Sequence, residues 1–255
     1  MLNIIINADD LGSSLACNKA IFQLMSLGKI SSSTLMANGP HFMDAVQGAK
    51  QFPQYSFGVH LNLSQFKPLT DAEIFKKHRL INALDQFRFQ KFILPTPQLI
   101  GAIRGEWYAQ VARIIDHGIP ISHFDSHNHV HTHLWMFPIL KFLSQKFNIK
   151  KIRSKFGRHN YSLSGHILRR LLRQFRGIPH RFIQTYFLGL KMPDHFADIY
   201  NGFNFFSTHR ITHPLTIELM CHPGVCGFQK DLPTLLEDYG SKICTPHRLI
   251  SYHEL

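Results

Sequence analysis

The stretch HFDSHNHVHTH, His123 to His133, places five histidines on alternate positions with Asp125 in the same register. Imidazoles and carboxylates in this density hold divalent metal ions or move protons. An extended strand would put all of these side chains on one face, and buried polar groups need partners there. Part of the run is therefore expected to leave the strand and line a polar cleft, with a metal role for at least one of His127, His129 and His131. His123 and His133 fit supporting or surface positions better. Three more groups carry the same chemistry: Asp9 and Asp10 in LNIIINADD, His60 in YSFGVHLNL, and His222 in IELMCHPG. A hydrolytic metal site needs about three protein ligands and an open position. Carboxylate and imidazole donors suit Zn²⁺, Mn²⁺, Fe²⁺, Co²⁺ or Ni²⁺ better than Ca²⁺. Adjacent aspartates allow one to bind metal while the other acts as general base. Blander roles stand beside these. Asp10 could cap a helix, His60 could be a satisfied core histidine, and His222 before Pro223-Gly224 could be a turn residue. Asp125 could be a ligand or the acceptor for a ligand histidine's second nitrogen. Cys221 beside His222 suggests a thiol–imidazole nucleophile, but nothing nearby supports that chemistry.

The elements that must position these residues read as an α/β chain. Apolar runs ending near Asp9/Asp10, His60, Asp125/His127 and His222 look like strands, with SSSTLMANG from Ser31 as another. Between them lie helical patterns: CNKAIFQLMSLG, FMDAVQGAKQF, TPQLIGAIRGEWYAQVARIIDHG, and WMFPILKFLSQKF, the last interrupted by Pro138. Continuous apolar strands alternating with amphipathic helices predict a mainly parallel sheet. Ligand sites in such folds gather at the carboxyl ends of the strands. Four separate strands delivering ionisable residues to that edge predict one shared pocket, in an open sheet or a distorted (β/α) barrel alike. No GxGxxG or GxxxxGK[ST] motif supports a nucleotide-phosphate loop.

The net charge is +12. Thirteen Lys and Arg residues lie between Asp125 and Asp194, a stretch with no acidic residue, and the remainder is close to neutral. Such a block fits an anionic partner or a solvated basic face. Within it, HILRRLLRQF from His166 has the pattern of a basic amphipathic helix, suited to an anionic membrane surface or to covering a core. Arg153, after the strand-like KKI, is a candidate for gripping a substrate anion. No nucleic-acid recognition motif is visible, so no nucleic-acid partner is expected. The start lacks a basic n-region and no run is apolar enough to span a bilayer. With four irregularly spaced cysteines (Cys17, Cys221, Cys226 and Cys244), this predicts a reduced, cytoplasmic protein, with a peripheral place at the inner membrane face kept open by the basic block.

The motifs NADDLG (Asn7–Gly12), STLMANGP (Ser33–Pro40), GVHLNL (Gly58–Leu63), HFDSHNHVH (His123–His131), ELMCHPG (Glu218–Gly224) and the final LISYHEL resemble, in this order, the YdjC-like family of carbohydrate deacetylases. That family includes chitooligosaccharide deacetylases and hopanoid-associated relatives. The resemblance implies one domain over residues 1–255, a distorted (β/α) barrel related to polysaccharide deacetylases, with a basic insertion or cap at about 155–206. It implies one divalent metal ion, Mg²⁺ or Zn²⁺, held by Asp10, His60 and His127, with Asp9 as base and His222 as acid. Asp125, His129, His131 and Arg153 would then support the site or meet substrate. Relatives suggest a homodimer. Leu11 stands where Phe is common in the family and Asn128 where a further His is common, and neither is an expected ligand. The reaction implied is removal of an N-acetyl group from an N-acetylhexosamine, neutral, phosphorylated or lipid-linked. The rivals are a metal-dependent hydrolase of another amide, ester or phosphoester, and a basic anion- or membrane-binding module with a structural metal.

Overall fold

The computed structural model describes residues 1–89, 95–154, 189–237 and 239–255. The chain begins with β1 (Leu2–Leu11), whose β-branched run is almost wholly buried. Ile4 and Ile6 pack with Ile21 and Leu24 of α1 (Leu15–Ser26), while Ile5 joins Ile250 and Tyr252 on the other face. Both faces are thus covered, which is why the strand reads as continuously apolar instead of alternating. Next come β2 (Ser32–Leu35), α2 (Phe42–Ala49), β3 (Ser56–Leu61), the short α3 (Glu73–Lys77) and α4 (Pro97–Asp116). Helix α4 starts where its sequence says it should: the Thr96 side chain accepts from the Leu99 amide at 3.2 Å, and Pro97 opens the first turn. Its buried stripe is Leu99, Ile103, Trp107, Val111 and Ile114.

β4 (Ile121–Ser126) ends in two 3₁₀ turns, His127–Thr132 and Leu134–Met136, before α5 (Phe137–Phe147). Pro138 therefore does not interrupt a helix. It sits in the first turn of α5, where no intrahelical donor is needed. The remaining elements are β5 (His195–Asp198), α6 (Ile199–Thr208), β6 (Leu215–Cys221), α7 (Asp231–Leu236) and β7 (His247–Leu249). Of the cap expected at about 155–206, residues 155–188, including HILRRLLRQF, lie outside the described residues. Residues 195–206 are not a cap: they supply β5, a strand of the sheet, and most of α6.

The strands run in the order β4-β3-β2-β1-β6-β5, every pair parallel, with β7 beside the start of β1. At the β4 edge the ladder continues: Phe124 bridges Ile152 and Lys151 bridges Lys191. The segment beginning at Lys191 runs on into β5, which pairs β6. One stretch therefore reaches both edges, and the sheet curls into a distorted barrel. Register aligns the carboxyl ends. His60 lies opposite Asp125, and Ala8 lies opposite Cys221, one residue before His222. No helix among the described residues is long and apolar enough to cross a membrane.

Candidate active site

Two neighbouring residues on a regular strand point to opposite faces. Asp9 and Asp10 escape this rule because the β1–β2 register shifts between Ala8 and Leu11, and Asp10 takes a left-handed backbone with φ of 67°. Aspartate is among the few residues that adopt this conformation at modest cost. The turn is fixed by Asn18, whose side chain accepts from the Gly12 amide at 2.7 Å and donates to the His41 carbonyl at 3.1 Å. A second distortion follows β4. Asn128 and His129 have φ of 53° and 54°, so the histidine run leaves the strand after Ser126. Backbone held in such regions gathers at functional sites.

These distortions bring Asp10, His60 and His127 together. Asp10 Oδ1 lies 3.3 Å from His60 Nε2 and 3.0 Å from His127 Nδ1. The ligand atoms of the three residues all fall within 4.8 Å of one another. The other ring nitrogen of His60, Nδ1, donates to Asp125 Oδ1 at 2.7 Å, and Thr34 Oγ1 donates to Asp125 Oδ2 at 3.0 Å. Asp125 is thus the acceptor that orients a histidine, and it leaves Nε2 facing Asp10. This is the carboxylate–histidine arrangement that supports metal ligation. Two imidazole nitrogens and one carboxylate oxygen converging at a strand edge fit a divalent cation. Burial alone would lower the His60 pKa, but Asp125 and Asp10 hold the ring protonated up to about 10. Burial raises Asp10, and its bonds to His127 and His60 more than reverse that, leaving its carboxyl far below the usual range.

A second set, Asp9, His60 and Asp125, also lies within 4.8 Å. Its centre is claimed by Arg153, whose Nη1 lies 2.9 Å from Asp125 Oδ2 and donates to Asp9 Oδ2 at 2.7 Å. A guanidinium there opposes a second cation. Arg153 is wholly buried, and its remaining N–H groups serve Asp9 Oδ1 at 2.5 Å and Glu218 Oε1 at 2.7 and 2.8 Å. The expectation that Arg153 grips a substrate anion is corrected by these contacts. All five donors of the side chain are engaged with three carboxylates. Against the rise that burial imposes, Arg153 holds the Asp9 carboxyl well below its ordinary value.

Asp9 Oδ1 also accepts from Asn7 Nδ2 at 2.8 Å, so it is saturated. Oδ2 has only the arginine, and it faces His222, whose Nε2 lies 3.9 Å away. His222 Nδ1 is 4.0 Å from Asp231 Oδ2, and the His222 amide donates to that same oxygen at 2.7 Å. Asp231 thereby closes the loop that carries His222. Gly224, with φ of 78°, is required in this loop because a Cβ there would lie 2.5 Å from the Ala16 carbonyl oxygen. Phe228 lies against the His222 ring with centroids 4.1 Å apart.

The other histidines divide as their contacts dictate. His131 Nδ1 meets Ser126 Oγ at 2.6 Å and its Nε2 meets the Arg153 carbonyl at 3.3 Å, tying the 3₁₀ turn to the neighbouring strand. His129 lies against Phe196, with ring centroids 5.4 Å apart. His123 is fully buried, stacked on Tyr252 with centroids 3.5 Å apart, and occupies the space that Gly58 leaves open. Cys221 is buried, its thiol lies 3.5 Å from the Asn7 carbonyl oxygen, and burial pushes it well above the ordinary thiol range. A nucleophilic role beside His222 does not fit that environment. Residue patterns alone missed Glu218, Asp231, Asn7, Thr34 and Tyr252. Glu218 stood inside a recognised motif, whereas Asp231 joins the site only through loop closure.

Comparison with known proteins agrees with this architecture. A carbohydrate deacetylase of Halalkalibacterium halodurans is 30% identical over 227 residues, covering 87% of this chain and 85% of that protein. One from Geobacillus stearothermophilus is 31% identical over 228 residues, covering 86% and 78%. A crystal structure from Enterococcus faecalis V583, described as a candidate cellobiose-phosphate cleavage protein, shares the fold with a TM-score of 0.73 at 19% identity, covering 99% of this chain and 98% of its own. The sequence profile of the YdjC-like proteins matches residues 3–245, so LISYHEL extends past the matched stretch. With that match over nearly its whole length, the chain belongs to the YdjC-like protein family.

Proposed function

We propose that this chain is a carbohydrate N-deacetylase that hydrolyses the N-acetyl group of an N-acetylhexosamine to acetate and the free amine. The observation that carries the reading is the convergence of Asp10, His60 Nε2 and His127 Nδ1 beside an arginine-clamped Asp9, with His222 opposite. Two nitrogens and one oxygen favour Zn²⁺ or a neighbouring transition ion over Mg²⁺. Asp10, His60 and His127 would hold a divalent cation, which would supply Lewis acidity to the amide carbonyl and a more acidic water. The rest is work for the chain's own residues. Asp9 Oδ2 accepts the proton of the attacking water, because Oδ1 is already saturated by Arg153 and Asn7. The water oxygen bonds to the acetyl carbon, the C–N bond breaks, and His222 gives its proton to the departing nitrogen. Asp231 holds the His222 backbone so that the ring faces Asp9. Arg153 keeps Asp9 ionised and fixes its plane.

The names of the relatives support a carbohydrate substrate. The acid-free basic stretch between Asp125 and Asp194 keeps phosphorylated and lipid-linked amino sugars among the candidates. The test is acetate release from neutral, phosphorylated and lipid-linked N-acetylhexosamines, with chelator and with metal restored. Chelator-sensitive release supports the reading and ranks the substrates. No release from any of them by metal-loaded protein sinks it.

A further inference from the structure

We propose that Tyr252 is a positioning residue for the base, acting through Glu218 and Arg153, an inference that rests on the deacetylase reading. Tyr252 lies seven residues past the end of the family match at residue 245. Its hydroxyl donates to Glu218 Oε2 at 2.6 Å, and both residues are fully buried. Glu218 Oε1 accepts Nε and Nη2 of Arg153, and Nη1 and Nη2 of that arginine hold the two oxygens of Asp9. The line from phenol to base is unbroken and contains no exposed group.

The division of labour within Glu218 is the point. A carboxylate meeting a guanidinium alone prefers the two-oxygen fork, one oxygen to Nε and one to Nη2. Here a single oxygen takes both donors, and the second oxygen is held away by Tyr252. Nη2 is left shared between Glu218 and Asp9. Without the hydroxyl, Glu218 Oε2 becomes a buried acceptor with no donor, which is costly. Turning Oε2 toward Nη2 relieves that cost and competes with the contact from Nη2 to Asp9 Oδ1. Asp9 Oδ1 then keeps only its bond from Asn7, the two-point grip of the arginine is reduced to Nη1 on Oδ2, and the plane of the carboxylate is held less tightly.

Tyr252 is built to hold this place. Its amide donates to Ser56 Oγ at 3.1 Å, its carbonyl accepts from Lys151 Nζ, and its ring stacks on His123 within 6° of parallel. The Ile250 amide donates to the Ile4 carbonyl at 2.8 Å, so the segment is fastened to β1 just before Tyr252. Three separate strands therefore fix the ring, and the hydroxyl has one destination.

The experiment compares wild type, Tyr252→Phe, Glu218→Gln and the double variant, each metal-loaded and with its thermal midpoint recorded. Tyr252→Phe keeps the ring and its stack. It is expected to lower kcat about tenfold with KM within about twofold of wild type, because the lost alignment matters only in the reacting state. Zn²⁺ affinity measured by competition should not change. The two substitutions should be non-additive, since both act along one line. A second readout needs no turnover: the Arg153 Nε–H resonance, assigned by its loss in Arg153→Lys, should move in Tyr252→Phe. Equal kcat in Tyr252→Phe and wild type, or full additivity with Glu218→Gln, overturns the proposal. If wild type itself releases no acetate, the reaction assigned above fails, and the arginine resonance alone decides the positioning. A shift sustains it and an unmoved signal overturns it.

Discussion

Removing Arg153 tests the charge logic of the whole site. Arg153→Met keeps most of the side-chain stem and deletes a fully buried cation that meets Asp9, Asp125 and Glu218. Taking one partner from a buried, hydrogen-bonded ion pair costs about 3–5 kcal/mol, because the other charge is left uncompensated. For a chain of this size that is a fall of roughly 6–20 °C in melting midpoint. The contribution of Asp9 to the pH dependence should change sign as well. In wild type the folded Asp9 carboxyl sits below its unfolded value, so its contribution is present above the unfolded pKa and is lost as pH falls through the folded one. Without Arg153, burial is the dominant influence on Asp9 and it already raises Glu218. A folded carboxyl raised above its unfolded value contributes stability at low pH and loses it as pH rises through the folded pKa. Raised His60 and Glu218 already make chelated wild type lose stability as pH rises, and chelated Arg153→Met, with Asp9 added to them, should lose more between pH 5 and pH 7. Circular dichroism melts across that range make the measurement. A variant within about 2 °C of wild type at pH 7, or one whose midpoint falls no more from pH 5 to pH 7 than that of wild type, would refute the reasoning.

Asp9→Asn should abolish turnover yet retain Zn²⁺, whereas His60→Ala and His127→Ala should lose both, as equilibrium dialysis with parallel acetate assays would show. In the metal-free protein His60 stays protonated up to about pH 10, so metal binding at pH 8 must expel its proton. Apparent affinity should then rise by about one decade per pH unit below that value, and calorimetry in buffers of different ionisation enthalpy should show about one proton released. The cysteines should divide two and two toward a thiol reagent. Cys226 and Cys244 are exposed and should react in the native protein. Cys17, pushed up to about 12 by burial and then by Asp10, and Cys221 should react only after unfolding.

Much of this was legible in residue order, because strands that are buried on both faces and end in ionisable side chains announce both a parallel sheet and its working edge. Asp9, Asp10, His60, Asp125 and His222 could be placed at that edge without coordinates. What residue order could not convey is direction. Nothing in NADDLG says that Asp10 turns left-handed, yet only that turn lets two adjacent carboxylates reach one site. The same holds for HNHVH, where two left-handed residues separate His127, facing Asp10, from His131, clamped to Ser126. Arg153 was misassigned for a related reason. A lone arginine after a strand in a basic stretch looks free to meet substrate. Its three carboxylate partners come from β1, β4 and β6, and only closure of the barrel brings them together.

Those partners also explain why the site needs its cation. Asp9, Asp10, Asp125 and Glu218 lie within one connected set of contacts, and Arg153 offers a single permanent positive charge among them. Without metal, the protonated ring of His60 supplies part of the deficit, held by Asp125 on one side and Asp10 on the other. A divalent ion on Asp10, His60 and His127 would replace one proton with two charges. The surplus positive charge would fall on the side that faces substrate, while Arg153 continues to serve the interior. The metal ligands and the base thus draw on different main sources of compensation, linked only through Asp125, which meets both Arg153 and His60. That separation is what allows a substitution at Asp9 to silence turnover without emptying the metal site. It is also why a substitution at Arg153 should disturb the base and the fold before it disturbs the metal.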